Sequence, residues 1–230
     1  MKYYRLNLSS EPKIIGVKNG IYQVEIDKKK YSSPKDYDRL LNFFSSQGWF
    51  EKDQTPDFDV QIHANMLKSA IMTDFLQFSP ALMACDFMVN NKVLDVFKDF
   101  NIQKHTLFPV TIYQGSRVID DNYSLFFMPH LEYDVIDFPK STFFSGNRIL
   151  GKQHHQFEDL TQFRTALKEI SPLIGVEVLH LNEKFDKKLD LFRGRLGRMN
   201  ISEHLKDAIV SANLTGIKLT ETEEPKIVVP

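Results

Sequence analysis

The most informative arrangement of hydrophobic and polar positions in this chain occurs twice. The first copy spans residues 89–102 and the second spans residues 201–214, and the two align without a gap. Each copy has an aliphatic residue, a short polar segment, an amphipathic stretch with helical spacing, an Asn and a second aliphatic residue. The arrangement predicts a strand–helix–strand unit that the fold uses twice.

The polar residues of each copy are those that begin and end helices. Asn90 and Ser202 stand at the N-cap, where a side-chain oxygen accepts a hydrogen bond from a free N–H of the first turn. Asn101 and Asn213 stand where the chain leaves each helix in the left-handed conformation, which Asn tolerates. Because capped amphipathic helices are common, chance similarity is the alternative to a true duplication. The apolar faces, which need a sheet to cover them, consist of Val93, Val96, Phe97 and Phe100 in the first copy and of Leu205, Ala208, Ile209 and Ala212 in the second.

The N-terminal part of the chain predicts strands around one further helix. Ser33 caps a helix that begins at Pro34 and stops near Gly48. Its apolar face is formed by Tyr37, Leu40, Leu41 and Phe44. The remaining segments predicted here are strands at residues 3–8 and 20–26, a basic turn at 28–30, a loop at 52–59 and a strand leading into irregular chain at 60–78.

The remainder of the chain alternates strands and turns around a fourth helix. Phe157, Leu160, Phe163, Leu167 and Ile170 share the face of that helix, with acidic residues in its first turn. The other predicted elements are strands at 82–89, 107–113, 123–128, 133–138, 176–181, 189–193 and 216–220, a turn at 114–116 and a loop at 146–156.

The elements together predict an α+β fold. We expect a mixed, largely antiparallel sheet with a few packed amphipathic helices and the duplicated strand–helix–strand unit. A chain of 230 residues suits a single domain over residues 1–230, with two lobes as the alternative. The lobes would be an N-terminal α+β part at 1–75 and a second part at 76–220, followed by a frayed tail at 221–230.

Composition narrows the class of protein. Hydrophobic residues make up 42% and charged residues 26%, which argues against wholesale disorder. The net charge of −1 gives no global field that would recruit nucleic acid or acidic lipid. A single cysteine, Cys85, excludes an intramolecular disulfide and a cysteine-based zinc site. Without a secretory signal or a membrane-spanning apolar run, the sequence predicts a cytoplasmic protein. The 19 Phe residues predict either a core built from large aromatic side chains or exposed aromatic side chains that bind a partner.

From Leu76 to Thr220 the chain resembles immunity protein family eleven of bacterial polymorphic-toxin systems. The most specific motif is Ile201-Ser202-Glu203 at the helix cap together with Thr215-Gly216 after the helix. The first copy differs from the family, because Asn90-Asn91 stands where Ser-Glu is usual. The segments that carry the resemblance are 74–76 with 89–100, then 108–112 with 133–137 and Ser141, and finally 190–193 with 201–206 and 214–217.

The resemblance implies a function in binding and silencing a cognate toxin made by the same cell. We therefore expect a non-enzymatic immunity protein that acts stoichiometrically, without cofactor, metal, nucleic-acid or membrane partner. The alternative is an enzyme with an unrecognised site, acting on a nucleotide or on a toxin-made modification, which would need a polar pocket with perturbed titratable groups. A self-associating structural module is a third possibility. The resemblance transfers no toxin-contacting residue.

Two groups of residues have the composition of small-ligand sites. His154 and His155 form an adjacent pair with Asp159 nearby, but neighbouring side chains in regular structure point apart, so exposed loop histidines are the simpler interpretation. Arginine with glycine can bind phosphate through guanidinium donors and exposed amides. The chain has such a segment but no Walker or dinucleotide glycine pattern, so a charged connecting loop is the alternative. The segment contains Arg193, Gly194, Arg195, Gly197 and Arg198.

The remaining candidates have simple structural explanations. Cys85 lies among apolar residues, where a thiol behaves as a small hydrophobe. Asp120-Asp121 and residues 221–224 are acidic, which predicts a turn and a solvated tail, although an inhibitor could use them against a basic toxin cleft. Asp137 and Ser141 belong to the resemblance, and we expect Asp137 to cap its own turn.

Overall fold

The computed structural model describes residues 2–18, 22–45, 56, 58–79, 82, 85, 87–147, 151–170, 174–194, 199–221 and 225–230. The elements, in chain order, are β1 (Tyr3–Leu8), α1 (Pro12–Ile15), β2 (Val24–Ile26), α2 (Pro34–Ser45), β3 (Ile62–Met66), β4 (Phe75–Leu76), β5 (Phe87–Asn90), α3 (Asn91–Phe97), β6 (Thr106–Gln114), β7 (Arg117–Phe127), β8 (Thr142–Asn147), β9 (Gly151–His155), α4 (Leu160–Glu169), β10 (Gly175–His180), β11 (Leu191–Arg193), β12 (Met199–Ser202), α5 (Glu203–Ser211), β13 (Ile217–Glu221) and β14 (Lys226–Val228). Short 3-10 helices lie at Lys28–Lys30 and Tyr133–Val135.

The described strands form three sheets, so the prediction of one sheet is wrong while the α+β class is confirmed. The six-stranded sheet has the order β2-β3-β6-β7-β5-β4, the middle sheet has the order β11-β12-β1-β13, and the outer sheet has the order β14-β10-β8-β9. Strand pairs are antiparallel except β3 with β6 and β10 with β14. The antiparallel majority that the sequence predicts is therefore confirmed.

The six-stranded sheet and the middle sheet are each covered on both faces. Because successive side chains of a strand point to opposite faces, each of these sheets contributes residues to two separate cores. In β1, Tyr4 packs into a core shared with the six-stranded sheet, whereas Tyr3 packs into a core shared with the outer sheet. In β4, Phe75 faces the core shared with the middle sheet. Leu76 faces the core that α2 closes with Leu40. The molecule is a stack of three cores separated by two sheets.

Phenylalanine rings supply much of the bulk of these cores, as one of the two sequence interpretations predicts. Phe44 contacts Phe108 and Phe127 under α2, with ring centroids 5.6 and 5.8 Å apart. In the core under the outer sheet, Phe143 contacts Phe163 at 5.3 Å. Each such ring buries a large apolar area, so a few aromatic residues fill the space between layers.

The strand and the capped helix of the duplicated unit are present in both copies. Strand β5 leads into α3 and strand β12 leads into α5, as the sequence predicts. The Asn90 side chain accepts a hydrogen bond from the Val93 N–H at 3.2 Å, and the Ser202 hydroxyl accepts one from the Leu205 N–H at 3.1 Å. Both predicted N-caps are therefore confirmed. The two helices pack against each other in the core between the six-stranded and middle sheets.

Two carboxylates join the copies reciprocally. Asp74 accepts hydrogen bonds from the Asn90 amide at 2.9 Å and from the Thr215 N–H at 2.7 Å. Asp190 accepts them from the Ser202 hydroxyl at 2.6 Å and from the Asn101 N–H at 3.1 Å. Each carboxylate thus links the cap of one helix to the segment that leaves the other helix. We call these residues and the helices α3 and α5 the duplicated frame.

The exits from the two helices differ. Asn213 has φ of 51°, the left-handed conformation that the sequence predicts. Asn101 has no positive φ, so the prediction is wrong there. Its backbone is held instead by Asp190, whose N–H donates to the Asn101 carbonyl at 2.7 Å. The first copy then makes a single bridge from Ile102 to Leu191 before β6, rather than a strand of its own.

Three further expectations about secondary structure are corrected, and the position of one proposed boundary is described. In place of the strand predicted at 133–138, Tyr133–Val135 form a 3-10 helix and Ile136 makes an isolated bridge to Leu181. Residues 146–156 contain most of the β8–β9 hairpin, because an edge strand with solvent on one side is polar enough to look like a loop. Residues 226–228 of the predicted frayed tail form β14, which pairs in parallel with β10, so this part of the tail is ordered into a sheet. The proposed boundary between residues 75 and 76 falls inside β4, and β1 from the N-terminal part pairs with β12 and β13.

Gly216 is a sensitive point of the duplicated frame. Its φ is +88°, and a Cβ there would lie 2.1 Å from the Phe75 carbonyl oxygen. We expect Gly216→Ala to lower the free energy of unfolding by about 3 kcal/mol, because both the backbone conformation and the contact are unfavourable. Gly115→Ala is the matched control, with φ of +64° and open space around the new methyl group. We expect Gly115→Ala to lower the free energy of unfolding by about 1 kcal/mol. Equal losses in urea unfolding would contradict the steric role of Gly216.

Asp74 makes the stability of the frame dependent on pH. Burial opposes its ionisation, but hydrogen bonds from Asn90 and Thr215 and the charge of Lys92 outweigh burial and hold its pKa below the usual 3.8. This stabilisation is complete above pH 3.8 and is lost as the pH falls through the lower pKa of the folded state. Asp74→Asn should therefore lower the free energy of unfolding by about 2 kcal/mol at pH 7, and by progressively less as the pH falls below 3.8. Asp95→Asn is the exposed control, and a loss as large in that variant would contradict the assignment.

Candidate functional site

A cavity of about 340 Å3 opens beside helix α2. The start of α2 forms one side of it, and the chain entering β3 forms the other. The hydroxyl of Ser33 accepts from the Lys35 N–H at 3.2 Å and starts the helix, and Leu40 anchors the buried face. The residues used in the argument below, which define the α2 groove, are Tyr31, Asp36, Arg39, Phe58, Asp59 and His63.

Aromatic side chains build the wall of the α2 groove. The Tyr31 ring packs edge-on against His63 at 4.9 Å and against Tyr37 at 5.4 Å. The Tyr31 hydroxyl accepts a hydrogen bond from the His63 backbone N–H at 3.3 Å. Burial raises the pKa of Tyr31 to about 12, so this hydroxyl stays protonated at neutral pH. The contacts fix the ring as part of a preformed wall.

His63 is the titratable side chain of this wall. Its Nδ1 lies 3.2 Å from the Tyr113 hydroxyl, and Lys30 Nζ lies 4.2 Å from the centre of the Tyr113 ring. Burial lowers the pKa of His63; Asp27 opposes this effect and Lys30 adds to it. The imidazole is therefore mainly neutral at pH 7 and can exchange a hydrogen bond or a proton with a molecule in the groove.

The rim carries charge of both signs. The Arg39 guanidinium stacks over the Phe58 ring at 4.4 Å. Asp36 and Asp59 are exposed. Neither carboxylate has a hydrogen bond or an ion pair within the described residues. The rim thus offers two free carboxylates next to aromatic rings.

A second groove of about 470 Å3 lies along α4. Thr161, Thr165 and Ile170 line it from the helix, and His155 lines it from β9. Ile170 is 51% exposed. His155 Nε2 lies 2.8 Å from the Ser145 hydroxyl, which anchors the ring to the outer sheet. This groove has fewer charged side chains than the α2 groove and supports no comparable chemistry.

The adjacent histidines point to different partners, which confirms the prediction that they diverge. His154 Nε2 lies 2.9 Å from the Glu177 carboxylate, whereas His155 contacts Ser145. Asp159 caps α4 by accepting from the Gln162 N–H at 2.8 Å. Across the described ranges, no three or more His, Cys, Asp or Glu side chains gather as metal ligands would.

The Arg–Gly segment does not present Arg193 to a ligand. Arg193 is buried and donates from Nη1 to the Met128 carbonyl at 3.2 Å. Its backbone N–H donates to the Gln103 side chain at 2.9 Å. Arg193 therefore fastens β11 to the end of β7, which corrects the prediction of a charged loop at this residue. Arg195, Gly197 and Arg198 lie outside the described residues.

The other candidates behave mostly as structural residues. Cys85 is buried in the core under α2. Asp137 accepts from the Lys140 N–H at 3.3 Å, which confirms that it caps its own turn.

The acidic clusters are only partly described. Asp120 accepts from the Asn122 N–H at 2.7 Å, and Glu221 pairs with Lys2 at 2.7 Å. The Asp121 side chain and residues 222–224 lie outside the described part of the chain.

Sequence reasoning missed the α2 groove. Tyr31, Asp59 and His63 come from a turn, a predicted loop and a strand, with no common motif. The sequence signals were an acidic residue in the first turn of α2, Asp36, and a histidine within β3, His63. Neither predicts that the two segments meet.

No protein-family model matches the chain, and no curated protein matches it. The resemblance to immunity protein family eleven therefore stays a prediction. None of the helices in the described ranges combines the length and apolarity needed to cross a membrane.

The pKa of His63 can be measured directly. We expect NMR titration of its imidazole to give a midpoint below 6.5. Because burial is the main cause, Tyr113→Phe should leave the pKa lowered. As the pH falls, His63 is protonated in the unfolded state before it is protonated in the folded state. The neutral His63 therefore leaves the folded state fully stable above pH 6.5, and stability is lost as the pH falls towards the folded-state pKa. A midpoint at or above 6.5 would contradict the buried environment of His63.

Proposed function

We propose that this protein is an immunity protein that binds and neutralises a cognate bacterial toxin in the cytoplasm. The observation that carries the proposal is the motif of the second copy, in which Ser202, Thr215 and Gly216 stand at the spacing of immunity protein family eleven. Neutralisation is stoichiometric: the protein occupies a surface that the toxin needs for its activity.

The positions of the motif residues support this proposal. Asp74 with Thr215, and Asp190 with Ser202, are pairs within the duplicated frame. Gly216 packs against the Phe75 backbone. Residues used in this way specify a scaffold and leave the surface free to follow the partner, as recognition of different toxins by one fold requires.

An enzyme acting on a nucleotide or a toxin-made modification is the second candidate function. The α2 groove favours it, because a neutral His63 in a preformed pocket can serve as a general base. The two functions differ in stoichiometry. An inhibitor protects the cell only when about one molecule of it is present for each toxin molecule, whereas an enzyme protects at a small fraction of that amount.

Co-expression with the toxin encoded beside this gene tests the proposal. We expect the full chain to restore growth and to co-purify with the toxin, because a stable inhibitory interface buries about 1,600 Å2 and survives purification. Toxin activity should fall linearly with added protein and reach its minimum at one equivalent.

Gly115→Ala is the control for expression and purification of a variant, because Gly115 has open space around it. A wild-type protein that is folded by circular dichroism yet neither binds nor protects would overturn the proposal. Protection at a small fraction of an equivalent, lost in His63→Gln, would favour the enzyme instead.

A further inference from the structure

The α2 groove has the charge arrangement of a site for a cationic group. Asp36 and Asp59 line it from opposite segments, and neither carboxylate is neutralised by a partner within the described residues. Asp38, two residues further along the same helix, differs because Lys28 lies 3.9 Å from it. The unpaired carboxylates are therefore a property of the groove rather than of the whole helix.

The rings of the groove suit a planar cation. Arg39 already stacks its guanidinium over Phe58 at 4.4 Å, which shows that this wall accommodates such a group. Tyr31 supplies a second ring, held by its contacts with His63 and Tyr37. A guanidinium binds a carboxylate through paired donors and can lie flat on an aromatic ring, whereas an ammonium is a compact point charge that lacks the paired donors and the planar face. The chemistry favours arginine.

Helix stability gives Asp36 a separate reason to be present. A carboxylate in the first turn of a helix interacts favourably with the free N–H groups there. That reason does not apply to Asp59, which lies outside any helix at the entrance to β3. A cationic ligand would give both carboxylates a shared use, because they line one cavity beside two aromatic rings.

We infer that the α2 groove receives an arginine side chain of the toxin, with Asp36 and Asp59 as its anionic partners and Tyr31 and Phe58 as its aromatic wall. This inference rests on the proposed function, because it names a contact of the same complex. Arginine inserted into a pocket with matching charges is a common anchor of protein interfaces.

The test measures toxin affinity for two matched double variants of the full chain. Asp36→Asn with Asp59→Asn removes both groove carboxylates. Asp38→Asn with Asp95→Asn removes the same charge elsewhere and serves as the control. We expect the groove variant to bind about tenfold or more weakly in calorimetry and the control to bind like wild type. If the groove variant binds as tightly as wild type, the inference is wrong and the proposed function stands.

A blocked Gly-Arg-Gly peptide examines the groove without the toxin. We expect it to shift the amide signals of Gln61 and His63 in a saturable way, with a dissociation constant on the order of 1 mM. The isosteric citrulline peptide, which lacks the charge, should leave them in place. If wild type fails to bind toxin yet binds the arginine peptide, the proposed function fails and the cation site stands. If neither peptide shifts these signals, or both do so equally, the site is overturned.

Discussion

The structure depends on two carboxylates that satisfy backbone groups where helices begin and end between sheets. The amides at the start of a helix, and those of the segment leaving one, need partners when layers pack over them. Asp74 and Asp190 each supply a partner for a helix cap and for the exit of the opposite helix. The arrangement fixes the helices to each other and to both sheets at once. A structural reason is therefore sufficient for Asp74 and Asp190 and for the capping residues of the repeated motif.

The middle sheet has a comparable role in the packing. Strand β1 lies between β12 and β13, so the first residues of the chain pair with some of the last. Tyr3 and Tyr4 enter different cores, and a shift of one residue in register would exchange them. Long-range pairing of this kind makes the described elements interdependent. The α2 groove lies away from the middle sheet, on the outside of the six-stranded sheet, where side chains can vary without disturbing the frame.

This separation of scaffold and surface suits a family of inhibitors whose partners differ. The residues that resemble immunity protein family eleven are used in pairing and turning, while the α2 groove is built by residues 31–63, before the resemblance begins. It contains carboxylates that have no partner among the described residues, a neutral imidazole and aromatic rings, a combination suited to binding a cationic group. The further inference is that the α2 groove, rather than the repeat, contacts the toxin.

The sequence alone determined the local elements whose signals are short-range. The caps at Asn90 and Ser202, the strand at Tyr3–Leu8 and the left-handed Asn213 follow from residue type and spacing, because neighbouring residues in the chain decide them. Tertiary structure decided the number of sheets, the hairpin at 142–155, the pairing of the tail and the conformation of Asn101. The groove also belongs to this second group. The hairpin was missed because its polar edge strand resembles a loop. Each of the others depends on which distant segment lies alongside, and periodicity within a segment carries no information about that neighbour.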